Sequence, residues 1–545
     1  MKSRWKSMLL AGMTLALLLS ACSNAPANNG SEGGTPSASA PANKTTGEEP
    51  SSEDKKEHLT LEWFTFVKQA TSNLPDASED FVKQAIEEKF NVTLNMTYMP
   101  AGADYKNRLN LLLAGKDVPD MFYIDGRTSL EYIIQGLTAD MTPFVSPETM
   151  PNYFKWVTQE ELNRYQVEGV FERAPIPFSR KVYRSYYIRQ DWLDNLGLDV
   201  PTSYEELTSV LKAFTTDDPD RNNKNDTYGF SASSGGTGLP YDFPQWYNNG
   251  LFHGSFVGKD DQVFHDNASD PLVGKIVDEV LEWIDAGIVD PDWFLNKGLA
   301  NVDKAAQGKV GVVVGNTRDF AFDSNANSLQ VRTKSVIPEA EWVPFNPIPD
   351  KPMWREGAPG SPFLFSKTVA DNEPEKIKRT VEILDWLASE EGFLMAQYGL
   401  EGKHYTRDGN KITLNQEAYQ KDVMDKGNFL DVYQFFTAGD PEVLGLEIIE
   451  PSMSDRDREI VATIASYLHD NHYKGVNVSP PAGFNLADFR AKMYEYQQKM
   501  IFDDKSGSNW PQYRKEIMTT YGGHENFQGY VEQIRAAGYE VKDFE

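Results

Sequence analysis

The chain has 545 residues, 81 of them acidic against 53 Lys and Arg, for a formal net charge of −28 at pH 7 with histidine neutral. So acidic a surface repels nucleic acid and anionic lipid headgroups, which argues against a nucleic-acid partner and against membrane attachment through basic patches. The length is ample for two or three domains, and a single cysteine, Cys22, leaves no intrachain disulfide to hold them, so stability must come from apolar cores.

Lys2, Arg4 and Lys6 precede an unbroken apolar or small run over residues 8–19. This is the layout of a secretory signal, too short to span a bilayer stably. The next residues, Leu19-Ser20-Ala21-Cys22, resemble the lipobox of bacterial lipoproteins. That resemblance implies cleavage of residues 1–21, diacylglycerol on the Cys22 thiol, and acylation of the new N-terminus with a palmitate-type chain. The mature protein would then sit on the extracellular face of the cell membrane, most naturally of a Gram-positive cell. Removing residues 1–21 takes three cations and no anion from the net −28, leaving −31. Residues 22–57 are rich in Ser, Asn, Pro, Gly, Ala, Thr and Glu and lack aromatics, so they are expected to be a disordered tether. No later stretch is apolar enough for a transmembrane helix, and the lipid is the one membrane contact expected.

Order is expected to begin with a strand over 59–67, where β-branched and aromatic residues concentrate. A helix follows with Phe81, Val82, Ala85, Ile86 and Phe90 on one face, then a strand over 92–98. Leu109, Leu112 and Leu113 mark a second helix, ending near Gly115, and residues 121–124 a third strand. This alternation predicts an α/β fold with a parallel sheet covered on both faces. Thr202 and Glu205 predict a capping box ahead of a helix that buries Leu207, Val210, Leu211 and Phe214. Residues 310–314 read as a buried parallel strand. A helix from about Pro374 would bury Ile377, Val381, Leu384 and Leu387. The last hundred residues read as helical, with Leu486, Phe489, Met493, Tyr496 and Met500 on one stripe.

Residues 109–120 read LNLLLAGKDVPD and lead through a strand to Gly136-Leu137-Thr138-Ala139-Asp140-Met141. This block resembles the first lobe of bacterial extracellular solute-binding proteins of family 1, the receptors of ABC importers. Tyr187-Ile188-Arg189-Gln190-Asp191-Trp192-Leu193, with Gly197-Leu198 and Pro201-Thr202 after it, is similar to the family's entry into lobe two. Trp283-Ile284-Asp285-Ala286-Gly287, Gln307-Gly308-Lys309-Val310-Gly311 and Tyr398-Gly399-Leu400-Glu401-Gly402 fit as well. Together these blocks cover most of residues 59–410 and point to the large lipoprotein branch, whose members commonly bind oligosaccharides.

The resemblance implies a two-lobe periplasmic-binding-protein-like (type II) fold with hinge strands and an additional helical C-terminal region. Lobe 1 would take residues 58–176 and 352–400, and lobe 2 residues 177–351 and 401–545. Crossings are expected near Pro175-Ile176-Pro177 and over residues 348–354, where proline suits extended backbone. The implied partners are an oligosaccharide, held as lobe closure buries it, and separate ABC permease subunits, with the receptor a monomer.

By the same resemblance, ligand-binding positions are expected at strand ends and cleft loops: Trp63, Asp125, Arg127, Tyr241, Trp246, Asn316, Arg318, Trp354, His404 and Tyr405. Aromatic faces stack on the C–H faces of hexoses, and hydroxyls need charged or amide partners. Any one of these aromatics is more often core than ligand platform, and Arg127 and Arg318 could instead be surface ion pairs.

The run Asp218-Pro219-Asp220-Arg221-Asn222-Asn223-Lys224-Asn225-Asp226 places oxygen side chains at loop positions one, three, five and nine. Asp218, Asp220, Asn222, the Lys224 carbonyl and Asp226 would supply hard oxygens to a structural calcium ion. Asn223 stands where the sharp turn usually has glycine, and Asn tolerates the left-handed conformation. Position twelve is Gly229, so a further ligand is needed; without an ion the run is an Asx-rich surface turn.

No Gly-x-Ser-x-Gly, His-Glu-x-x-His or Walker-type loop is present. His469 and His472 are spaced to meet on one helix face and read as a surface pair. A glycosidase needs two facing carboxylates, which spacing alone does not decide among 81 acidic residues. A secreted glycosidase or lyase, and a carbohydrate-binding adhesin that never closes, stay open beside the receptor.

Overall fold

The computed structural model describes residues 56–67, 72–100, 103–115, 117–124, 126–164, 166, 169–251, 254–258, 261–351, 363–467, 478–481 and 483–545. The signal segment, Cys22, most of the tether and His469 and His472 lie outside them. Among the described residues no helix is long and apolar enough to cross a membrane.

The first half of lobe one folds as its pattern predicts. Strand β1 (Leu59–Val67) alternates, so Leu61 and Trp63 enter one core while Phe64 enters another on the opposite face. Helix α1 (Phe81–Phe90) starts where the Asp80 carboxylate accepts the Lys83 N–H. It stops at Asn91, whose φ of 51° is left-handed, and it buries Val82, Ile86 and Phe90. Strand β2 (Val92–Pro100) returns parallel to β1 with Leu59 opposite Val92. Helix α2 (Ala103–Ala114) leads to β3 (Met121–Tyr123), parallel to β1 on its other side, and then to α3 (Gly126–Ile134). Tyr105 and Leu109 of α2 and Tyr132 and Ile133 of α3 cover the Phe64 face, so the sheet is sandwiched.

Ala174 and Ile176 still belong to the first core, whereas Tyr186 of β4 (Ser185–Arg189) belongs to the second. The chain therefore first crosses over residues 177–185. The helix Tyr204–Thr216 buries Leu207, Val210, Leu211 and Phe214. Its cap is one residue later than expected: Ser203 accepts the Glu206 N–H, and Glu206 reaches back to Thr202. Strand β5 (Tyr228–Phe230) precedes the hairpin of β6 (Ser255–Val257) and β7 (Phe264–Asp266). Strand β8 (Val310–Gly315) is buried throughout, and β9 (Trp342–Phe345) ends the segment.

The second sheet runs β5-β8-β4-β9. Strand β8 is parallel to β5, as expected, but antiparallel to β4. Strand β4 enters at the edge where β8 ends, so it must run the other way.

Ile348 packs in the second core, and β10 (Phe363–Phe365) pairs antiparallel with β3 in the first sheet. The second crossing thus lies between them, and Trp354 within it is outside the described residues. The helix Pro374–Leu387 buries Ile377, Val381, Leu384 and Leu387 against the first core.

Residues 401–446 depart from the expected lobe assignment. Tyr405, Ile412, Val423, Phe429, Leu430, Tyr433, Phe436 and Leu446 are buried in the first core, with β1 and α1. A small sheet of β11 (Tyr405–Asp408), β12 (Lys411–Leu414) and β13 (Glu447–Ile449) extends it. Only from Met453 does the chain rejoin the second core, where Phe489, Met493, Tyr496 and Met500 pack along the expected stripe. Each such buried aromatic or Met side chain contributes about 1.5–3 kcal/mol. There are accordingly three crossings, and a boundary at residue 401 would divide one apolar core.

Candidate ligand-binding cleft

Strand register locates the cleft. In lobe two Ser185 lies opposite Gly315, and Tyr186 opposite Phe345. The first and second crossings therefore attach at the edge where β5 and β8 end. In lobe one Phe363 lies opposite Tyr123, and the Ala174 N–H donates to the Phe363 carbonyl at 2.9 Å. Those crossings attach where β1 and β3 end. The carboxyl ends of the parallel strands in both sheets thus adjoin the crossings, the position at which open α/β sheets bind ligands. Gly315 lets β8 end flush there, since a Cβ would lie 2.4 Å from the Phe320 ring.

The lobe-one edge is aromatic. Phe66, next to last in β1, has its ring 3.8 Å from that of Tyr123, the last residue of β3, and 4.0 Å from that of Phe435. The planes of both pairs are inclined by little more than 30°. All three residues are half-buried. Such a ledge matches the C–H face of a pyranose. None of the three was among the expected ligand residues; for Phe66 and Tyr123 the signal was their position at the ends of β1 and β3, whereas Phe435, in the short helical turn Gln434–Phe436, carried no local signal.

The lobe-two edge is polar. Arg184, immediately before β4, donates to Asn316 Oδ1 at 2.7 Å, to the Tyr241 carbonyl at 2.9 Å and to the Asp242 carboxylate at 3.1 Å. Its guanidinium lies 5.9 Å from the Tyr247 ring centroid. Burial works against the charge, but Tyr247, Asp242 and Tyr186 outweigh it and hold the Arg184 proton more tightly than usual. One side chain thereby ties β4, the loop after β8 and the 241–242 turn into a single wall. Arg318, in the loop after β8, pairs with Glu450 of the third crossing at 2.7 Å and packs over Phe322.

Of the expected ligand residues, Tyr241, Asn316 and Arg318 come to this edge. Trp63, Trp246, His404 and Tyr405 do not, and these expectations are corrected. Trp63 is 1% exposed and packs 5.1 Å from Phe436. Trp246 is fully buried, its indole N–H donating to the Pro240 carbonyl at 3.1 Å. His404 is fully buried; Nδ1 accepts the Leu400 N–H at 2.9 Å and Nε2 lies 3.6 Å from the Asp422 carboxylate. Burial, then Lys403, holds its pKa below the usual histidine value, so it serves as a neutral turn brace. Tyr405 opens β11 inside the first core, and burial pushes its hydroxyl up to about 12. The sequence showed aromatics in these places but not the distant residues that cover them. Asp125, Trp354 and the side chain of Arg127 lie outside the described residues; the Arg127 backbone is in the first turn of α3.

The acidic loop is folded tightly. Asp218, Arg221 and Asn223 are left-handed, with φ of 49°, 53° and 60°. The Asp218 carboxylate accepts the N–H groups of Asn222 and Asn223, each at 3.0 Å. The Asn222 amide bridges Asp220 and Asp226 at 2.8 and 3.1 Å, while Lys309 holds Asp226 at 2.6 Å. Burial, then the neighbouring Asp218 and Asp226, raises the Asp220 pKa, so the carboxylates crowd one another. Yet among the described residues no three carboxylate, imidazole or thiol side chains converge in a metal-holding group. The donor chemistry of the loop fits a hard cation, but its oxygens here are engaged by backbone N–H groups, an amide and an ammonium.

The chain is similar to proteins of known name. The polygalacturonan/rhamnogalacturonan-binding protein YtcQ of Bacillus subtilis (strain 168) is 26% identical over 365 residues, covering 63% of this chain and 67% of that one. The fructooligosaccharide ABC transporter substrate-binding protein FusA of Streptococcus pneumoniae is 24% identical over 353 residues, 61% of each chain. Among solved structures, an HMO-binding, ABC-transporter-associated solute-binding protein from Bifidobacterium longum infantis superposes with a TM-score of 0.66 at 19% identity, covering 89% of this chain and 100% of that one. An EF-hand mutant of S. pneumoniae FusA in complex with fructo-nystose superposes with a TM-score of 0.61 at 18% identity, covering 88% and 99%. These likenesses show the two-lobe fold. The sequence profile of the bacterial extracellular solute-binding proteins matches residues 82–402, more than half the chain, and the protein belongs to that family.

Proposed function

We propose that the protein is a lipid-anchored extracellular receptor that captures an oligosaccharide between its lobes and delivers it to an ABC permease. The observation that carries this reading is the pairing of edges: an aromatic ledge of Phe66, Tyr123 and Phe435 ends one sheet, and the Arg184–Asn316–Asp242 wall ends the other, both beside the crossings. Stacking holds ring faces and the polar wall holds hydroxyls, as carbohydrate requires. The names of YtcQ and FusA, a polygalacturonan/rhamnogalacturonan binder and a fructooligosaccharide receptor, support the reading.

The lobes divide as residues 58–176 with 363–449, and 177–351 with 453–545, following the two cores. Rotation about the three crossings closes the cleft and buries the sugar. The receptor acts as a monomer and performs no covalent step; its wall carboxylates Asp242 and Glu450 are each held by an arginine, unlike an acid–base pair facing a glycosidic bond. A structural calcium ion is held by Asp218, Asp220, Asn222, the Lys224 carbonyl and Asp226 once Lys309 withdraws, which relieves the carboxylate crowding. The EF-hand named in the FusA mutant is consistent with such a loop in a relative.

Glycan-array screening followed by small-angle scattering tests the proposal. A binding sugar should contract the molecule and, at a hundredfold its Kd, stabilise it by about 2.7 kcal/mol. Release of new reducing ends would indicate a glycosidase, and binding without contraction an adhesin. Cys22→Ser should move the protein from the membrane fraction to the medium.

A further inference from the structure

Both described arginines at the lobe-two edge already carry a carboxylate. Arg184 is matched by Asp242, its terminal nitrogens also donate to Asn316 and the Tyr241 carbonyl, and its Nε is buried away from the open edge. Arg318 is matched by Glu450 across the third crossing. The first pair is sheltered, the Arg184 side chain being 18% exposed and that of Asp242 23%, whereas the Arg318 side chain is 37% exposed. Among the described residues the lobe-one edge adds the rings of Phe66, Tyr123 and Phe435. We propose that the cleft selects neutral oligosaccharides over uronate-containing ones, with the Asp242 and Glu450 carboxylates acting as the specificity determinants; this rests on the oligosaccharide reading above.

The reason is electrostatic. A uronate brings one carboxylate per acidic ring into a sheltered site. It could take Arg184 only by displacing Asp242, which would then be stranded beside it without a cation. A neutral sugar asks for no such exchange: its hydroxyls accept from and donate to groups that stay paired, and its C–H faces lie on Phe66 and Tyr123. The whole chain adds to this, since its net charge of −28 repels a polyanion at distance. YtcQ is named for acidic polymers, so the proposal also sets this chain apart from that relative.

The test is isothermal titration calorimetry of the full mature chain against neutral tri- to hexasaccharides (xylo-, gluco-, galacto-, manno- and fructo-oligosaccharides) and against oligogalacturonates and oligomannuronates of equal length. At least one neutral sugar should bind at least about tenfold tighter than every uronate. Asp242→Asn, which frees Arg184 while keeping its shape, should raise the ratio of uronate to neutral-sugar affinity, both measured on the same variant, by about tenfold. Glu450→Gln provides the same comparison at Arg318 should the first variant misfold. A uronate that binds the unmodified protein as tightly as any neutral sugar overturns the selectivity and leaves the receptor reading standing. No rise in that ratio in either folded variant overturns the role of the carboxylates. Absence of binding to every sugar in both sets overturns the receptor reading and the selectivity together.

Discussion

The carboxylate of Asp440 accepts the backbone N–H of Arg180 at 2.8 Å across 260 residues of sequence, and its other oxygen accepts the Ser179 hydroxyl at 2.9 Å. Asp440 is buried in lobe one, while residues 179 and 180 begin the first crossing, so one side chain anchors the hinge to the lobe. Asp440→Ala should lower unfolding stability by about 2–3 kcal/mol, because an N–H and a hydroxyl lose a charged acceptor in a sheltered place. Urea unfolding followed by tryptophan fluorescence measures it. A loss below the error of that measurement would show that the anchor is replaceable by water.

Phe66 and Trp246 should separate binding from folding. Phe66→Ala removes the centre of the aromatic ledge and is expected to weaken the selected sugar about tenfold. Trp246→Ala empties a fully buried site and should cost about 3–5 kcal/mol of stability, with sugar affinity unchanged in whatever fraction remains folded. Calorimetry on folded protein, paired with thermal unfolding, distinguishes the two; a reversed pattern would move the binding ledge elsewhere.

Glu161 gives stability a specific acid dependence. Burial opposes its charge, but the Arg180 guanidinium and the Thr158 N–H and hydroxyl prevail and hold its carboxyl at about 2 instead of the usual 4.5. The folded value is depressed, so the stabilisation is present above pH 4.5 and lost as pH falls from there towards 2. Glu161→Gln should therefore lower the Tm at pH 7 and have a progressively smaller effect in that acid window. An effect independent of pH would mean that the ion pair with Arg180 contributes nothing beyond shape.

The acidic loop predicts opposite responses with and without calcium. Adding calcium to chelator-treated protein should raise the Tm, and Asp220→Asn should abolish the rise. Without calcium the same substitution removes a carboxylate whose pKa is raised by burial and then by its neighbours Asp218 and Asp226, so it should leave the Tm unchanged or slightly higher. Differential scanning calorimetry in matched buffers reads both arms. An unaltered Tm on adding calcium to the unmodified protein would leave the loop an Asx turn held by Lys309.

Much of lobe one was legible because local pattern and covering elements agree. The alternation of Leu61, Trp63 and Phe64 in β1, the stripe of Val82, Ile86 and Phe90 in α1, and the tight turn at Asn91 into β2 specify a parallel βαβ unit from near neighbours in sequence. The left-handed Asn223 was likewise a local property of its side chain. The candidate cleft was less legible: Arg184 looks like any arginine before a strand, and its role depends on Asn316 and Asp242, 132 and 58 residues away.

By itself the sequence determined the absence of an intrachain disulfide, the βαβαβ order of lobe one and the helical stripe of the C-terminal region, because each is written in composition or in the local periodicity of single elements. Tertiary structure alone decided which aromatics are core and which form a ledge, the reversed direction of β4, the third crossing, and the packing of residues 405–446 into lobe one. A side chain's hydrophobicity states that it will be covered; which face covers it, and which ring is left at the open edge, is set by partners hundreds of residues distant.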